Sequence, residues 1–180
     1  VDITNYVQFA LNKPMHAYDT RSIKGTLCAR FAKSGEMLTT LDEKELKLDE
    51  NTLVIADDEK ALGLAGIKGG KFSGIQPDTT SVILESANFE PTLIRKTSQR
   101  YGIKTDASKR FENGISNKLV EEGLYMTANL IKEICSEAKG GAVADVYPKK
   151  DMPYYVGISQ KELNDILGTT YSDDEIKNTL

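Results

Sequence analysis

One histidine, His16, and two cysteines, Cys28 and Cys135, are all that 180 residues offer of the side chains most used in metal binding and nucleophilic catalysis. The two cysteines lie far apart in apolar, element-like contexts. They make no zinc site, and a reduced cytoplasmic setting is the expectation. No spacing suggests a Ser-His-Asp triad, and no thiol neighbours the histidine in sequence. Long apolar runs are missing too, and the N-terminus lacks the basic and apolar regions of a signal peptide, so no membrane is expected as a partner. An excess of positive charge is also absent. Lys and Arg number 23 against 27 Asp and Glu, for a net charge of -4. That balance argues against a surface that grips nucleic acid over its whole extent. Residues 61–70 are glycine-rich, but no Gly-Lys-Ser/Thr ending closes them and no strand-to-helix switch follows, so a phosphate loop is rejected. The chain opens on Val1 inside a helical pattern, and is expected to be a piece of something longer.

What is present begins with the lone histidine. It sits in Lys13-Pro14-Met15-His16-Ala17-Tyr18-Asp19, directly after a segment in which Ile3, Tyr6, Val7, Ala10 and Leu11 recur at helical spacing. A helix stopping before Pro14 holds His16 on a fixed loop. Chemistry alone leaves open a structural role, packing against Tyr18 or capping a turn, and a functional imidazole. Arg95, Lys96, Arg100, Lys104, Lys109 and Arg110 face a single acid, Asp106, over one short stretch. This is a solvated helix face or a local phosphate-contacting patch.

Strand patterns follow over 25–33, 45–48, 52–56 and 61–70, and again over 81–87, where Glu85 ends an apolar run. Pro91 opens a helix to about Tyr101, with Gly102 as terminator. Asp106 reads as the cap of a short helix closed by Gly114. Ser116 reads as the cap of the longest helix, to about Lys139, with Gly140 and Gly141 as its stop. Residues 142–147 read as a strand, and Pro148 with Lys149 and Lys150 as a linker. Ser159 to Glu162 and Ser172 to Glu175 are capping boxes separated by Gly168. The expected class is α+β: a mixed β-sheet domain with flanking helices over 1–148, then a linker and the start of a small helical module over 149–180.

Several runs in this order resemble the B3/B4 editing region of the bacterial phenylalanyl-tRNA synthetase β subunit. They are Val1-Asp2-Ile3-Thr4-Asn5-Tyr6-Val7, Pro14-Met15-His16-Ala17-Tyr18-Asp19 and Leu53-Val54-Ile55-Ala56-Asp57. Further along come Gly66-Ile67-Lys68-Gly69-Gly70, Leu84-Glu85-Ser86-Ala87-Asn88-Phe89 and Thr105-Asp106-Ala107-Ser108-Lys109-Arg110-Phe111-Glu112. The tail from about Tyr154 resembles the start of the B5 domain. After Glu112 the family continues with Arg-Gly and an Asp-Pro pair, whereas this chain has Asn113-Gly114 and Ser116-Asn117. The departure bears on a local salt bridge and not on the pocket.

The resemblance implies an α2β2 enzyme that charges tRNA(Phe) with ATP and Mg2+ at a centre on the α subunit, with no cofactor in this segment. It further implies that this region hydrolyses tRNA(Phe) misloaded with tyrosine. The implied pocket holds Pro14, His16, Gly69, Gly70, Glu85, Thr105 and Ala107, with Thr4 and Asn5 as further wall residues. His16 and Thr105 are then the catalytic candidates, and Arg95, Lys96, Arg100 and Lys104 the RNA contacts. Tyrosine and phenylalanine differ by one hydroxyl, and a site that hydrogen-bonds it discriminates by roughly 10⁴–10⁵. Glu85 is assigned that contact, the glycines let the ring lie on backbone, and His16 orients a water with Thr105's help. A non-catalytic tRNA-binding scaffold and a free-standing hydrolase are the rival readings.

Overall fold

Helix α1 (Asp2–Leu11) stops at Asn12, whose left-handed backbone (φ 55) turns the chain out of the helix. Lys13 to Met15 then run extended into strand β1 (His16–Asp19). The computed structural model describes all residues except 149, 151, 153 and 154. The proposed linker at Lys149 and the start of the tail at Tyr154 therefore lie outside the described residues.

Strands β2 (Cys28–Phe31), β3 (Met37–Thr39), β4 (Glu45–Lys47), β5 (Leu53–Ala56), β6 (Ala61–Leu64), β7 (Lys68–Gly69) and β8 (Val82–Glu85) follow in order. They form an antiparallel sheet β2-β5-β6-β7, a β3-β4 pair, and a β1-β8 ribbon. An isolated bridge from Thr40 to Gly70 joins the β3-β4 region to the end of β7. Every residue of β6 is buried, which is why its sequence is a continuous small-and-apolar run and not an alternation. Leu64 and Val54 face one core with Ile67, Ile94 and Phe111, while Leu62 and Ile55 face a second with Tyr18 and Ala65. The period of two on β5 and β6 thus feeds two cores from one pair of strands.

Helix α2 (Pro91–Tyr101) begins with proline in its first turn, where no amide partner is lost. The Glu90 carboxylate accepts from the amides of Thr92 and Leu93, and Gly102 (φ 64) ends the helix. Helix α3 (Asp106–Glu112) is capped one residue earlier than the sequence suggests. Thr105, not Asp106, has the extended backbone of a cap, and its hydroxyl makes a capping box with Ser108. Helix α4 (Leu119–Ile134) is shorter than expected at both ends. Ser116 sits in the preceding turn, where its carbonyl accepts from Leu119 N, and the helix closes at Cys135 before the glycine pair is reached. Residues 142–147 form no strand: Val143 and Val146 are exposed and no sheet edge pairs with them. On α1 the buried residue is Val7, with Tyr6 exposed against the expected apolar face; α1 packs on α4.

The chain divides into two compact units, Val1–Ala142 and Val143–Leu180. Both capping boxes of the second are formed as read. Ser159 with Glu162 starts α5 (Gln160–Leu167), and Ser172 with Glu175 starts α6 (Asp173–Thr179). Gly168 (φ 67) breaks the chain between them.

Candidate functional site

The antiparallel register of β1 and β8 sets His16 directly opposite Glu85, so both side chains lie on one face of the ribbon. Facing that ribbon is the turn between β6 and β7, where Gly66 has φ +67. A Cβ at Gly66 would come within 2.8 Å of Phe89 and 3.0 Å of Phe111, so the aromatic rings close down on bare backbone. At Gly69 a Cβ would stand 2.7 Å from His16 Cε1 and 3.1 Å from Nε2. Only glycine lets the imidazole rest there.

Between ribbon, turn and α3 lies a narrow cleft, about 80 Å³ in volume and partly open to solvent. Pro14, His16, Gly69, Glu85 and Ala107 line it. Met15, Tyr18, Gly66, Phe89 and Phe111 supply much of the remaining wall. Its lining is mostly apolar, and among its polar residues His16 and Glu85 stand opposite each other across one strand pair.

Those two groups differ in charge behaviour. Burial lowers the His16 imidazole from its ordinary 6.5 to about 4, so it is neutral at pH 7. Its ring meets Tyr18 edge-on at 4.5 Å between centroids. Its Nε2 atom is buried with no hydrogen-bond partner among the described residues. A buried nitrogen left this way is uncommon in folded proteins. Glu85 is pushed upward by burial, while the bond from Tyr18 and then the charge of Lys13 pull it back down. Tyr18 Oη donates to Glu85 Oε2 at 2.5 Å, which leaves the second carboxylate oxygen open to another donor.

Thr105 is not on the cleft wall. Its hydroxyl donates to the Ile67 carbonyl at 2.8 Å and accepts from Ser108 N at 3.0 Å. The side chain is thereby committed to holding the start of α3 against the glycine turn, which brings Ala107 into the wall. Gly70 lies behind it: its amide donates to Leu62 O at 2.7 Å, and a Cβ would meet that oxygen at 2.4 Å. Thr4 bonds its own helix start, Val1 O, at 2.7 Å, and Asn5 is exposed on α1; neither lines the cleft. Arg95, Lys96 and Lys104 are exposed, whereas Arg100 is held by Asp49 at 2.8 Å. Sequence reasoning gave no role to Lys13, which is completely buried, and missed the Tyr18–Glu85 bond. The signal for Lys13 was a cation placed beside the proline of an otherwise rigid, uncharged turn. Among the described residues no group of three or more His, Cys, Asp or Glu is placed to hold a metal ion.

The fold is thus an α+β domain whose cleft sets a carboxylate opposite a neutral imidazole among mostly apolar residues. The chain belongs to the B3/4 domain family, whose model matches residues 1–136. Over its length it is similar to phenylalanine–tRNA ligase beta subunits. It is 40% identical over 185 residues to that of Francisella tularensis, the match spanning 100% of this chain and 23% of the relative. The subunits of Idiomarina loihiensis and Aquifex aeolicus are each also 40% identical, with the same shares covered. The chain thus spans under a quarter of the length of the curated relatives it matches.

Proposed function

We propose that the cleft is the editing site of a phenylalanine–tRNA ligase β subunit, where the ester of Tyr-tRNA(Phe) is hydrolysed. The observation that carries this reading is the pairing of Glu85 with His16 across β1 and β8, above an apolar cleft floored by Gly66 and Gly69. In it the tyrosine ring lies on the glycine backbone, and its phenol donates to the free oxygen of Glu85. A water held near His16 Nε2 adds to the ester carbonyl; the carbon–oxygen bond to the ribose then breaks, giving tyrosine and a free 3′ hydroxyl. With the imidazole neutral, Nε2 can accept from that water. Thr105 belongs in this scheme as a positioning residue for α3 and not as a contact of the water.

The full enzyme in this reading is the α2β2 assembly, with tRNA(Phe) as partner and aminoacylation, with its ATP and Mg2+, on the α subunit. Exposed Arg95, Lys96 and Lys104 would meet the RNA backbone. The test is deacylation of Tyr-tRNA(Phe) by the whole enzyme carrying His16→Ala or Glu85→Ala. A loss of about 10²-fold or more in each is expected. Unchanged rates in both would leave the segment a non-catalytic tRNA-binding scaffold.

A further inference from the structure

We propose that Tyr18 is the positioning residue of the cleft, its hydroxyl fixing the Glu85 carboxylate and its ring fixing the His16 imidazole. The inference rests on the editing reading and adds to it the side chain that sets where both groups point.

Strand alternation puts His16 and Tyr18 on one face of β1, and Ile83 and Glu85 on one face of β8. Tyr18 stands opposite Ile83 and His16 opposite Glu85, so Tyr18 and Glu85 are diagonal neighbours. A diagonal across an antiparallel pair is within reach of an aromatic side chain. Tyr18 uses that reach twice. Its Oη donates to Glu85 Oε2 at 2.5 Å, and its ring meets the imidazole edge-on at 4.5 Å between centroids. With the cross-strand pairing of His16 and Glu85 the three residues close a triangle, and all three line the cleft.

Tyr18 is itself anchored from behind. It is 2% exposed and packs into the second core with Ile55, Leu62 and Ala65. Glu85 lacks such an anchor: among the described residues the Tyr18 hydroxyl is the one hydrogen-bond donor to its carboxylate. Burial, then the charge and hydrogen bond of Glu85, hold the Tyr18 proton well above its ordinary range, so the hydroxyl remains a donor at working pH. A glutamate side chain has several rotatable bonds, and ordering it on binding costs entropy. Pinned at one oxygen, the carboxylate meets an incoming phenol already ordered, with its second oxygen directed at a fixed place. Phenylalanine has no group to use that place. The ring contact does the same for the imidazole, whose Nε2 has no hydrogen bond of its own to orient it.

The experiment measures deacylation of Tyr-tRNA(Phe) and of correctly charged Phe-tRNA(Phe) by the whole enzyme, after subtracting hydrolysis without enzyme. The wild type is compared with Tyr18→Phe, Tyr18→Leu, Glu85→Gln and the double variant Tyr18→Phe/Glu85→Gln, each checked for folding by circular dichroism. Tyr18→Phe keeps the ring and loses the hydroxyl. Its kcat/KM for Tyr-tRNA(Phe) falls about tenfold, carried by KM, while the Phe-tRNA(Phe) rate stays as it was. Tyr18→Leu loses the ring as well, and kcat falls about tenfold too. In the double variant Tyr18→Phe adds nothing to the loss from Glu85→Gln, because both act through one contact. A Tyr18→Phe enzyme that keeps the wild-type preference, loses both substrates equally or fails to fold overturns the proposal, as do losses that multiply in the double variant. An unchanged kcat in Tyr18→Leu overturns the hold on His16. Should that variant not fold, Tyr18→Met takes its place, and failure of both makes the ring a core element and overturns the same part. If Glu85→Gln alone deacylates Tyr-tRNA(Phe) at the wild-type rate, the editing reading fails and the proposal with it. With Glu85→Gln impaired and Tyr18→Phe intact, the proposal fails alone.

Discussion

His16 is a base whose folded-state pKa, about 4, lies below its ordinary 6.5. Between those values the unfolded chain binds more protons than the folded one, so stability is present above pH 6.5 and is lost as the pH falls toward 4. Replacing His16 by Gln should flatten urea-unfolding stability across that window by on the order of 3 kcal/mol. An unchanged slope would place the imidazole in water and not in the cleft. Gly69 makes the complementary prediction. Gly69→Ala puts a methyl 2.7 Å from His16 Cε1, so the ring must move. Editing should fall about tenfold or more with a small change in melting temperature; an intact rate would show that the position of the ring is immaterial.

At the scale of elements, the cleft depends on how α3 is tethered. Thr105→Ala removes both the cap and the bond to Ile67, at a cost of about 1–2 kcal/mol. Thr105→Ser keeps both and should keep stability and editing; if Ala is as good as Ser by thermal melting, the tether is not what sets Ala107. Much at this scale was legible in advance. The β5 and β6 runs, the proline start and glycine stop of α2, and the capping boxes of α5 and α6 are local signals, each satisfied by residues within a few positions. What local pattern could not show is pairing. Residues 142–147 have strand-like composition yet are not part of any strand among the described residues. The Thr105 hydroxyl donates to the carbonyl of Ile67, 38 positions away, a contact that no local pattern announces. Glu85 was recognisable as a carboxylate ending an apolar strand, yet its bond to Tyr18 and the burial of Lys13 arise from contacts 67 and 74 positions apart in sequence.

Over the whole molecule, both hydrophobic cores lie within Val1–Ala142. Ending the chain after Ala142 should therefore leave the main thermal transition unchanged by circular dichroism, while a marked fall would show that the second unit supports the first. Net charge is -4, so under the proposed function any RNA contact falls to a local patch and weakens with added salt. No helix among the described residues is long and apolar enough to cross a membrane.

The most direct measurement is calorimetric titration of this chain with non-hydrolysable tyrosyl- and phenylalanyl-adenosine analogues. The account predicts that the tyrosyl compound binds about 10²-fold tighter, the worth of about 2–3 kcal/mol for one hydrogen bond to a charged group, and that Glu85→Gln erases the difference. Equal affinities for the two compounds in the wild-type chain would contradict it.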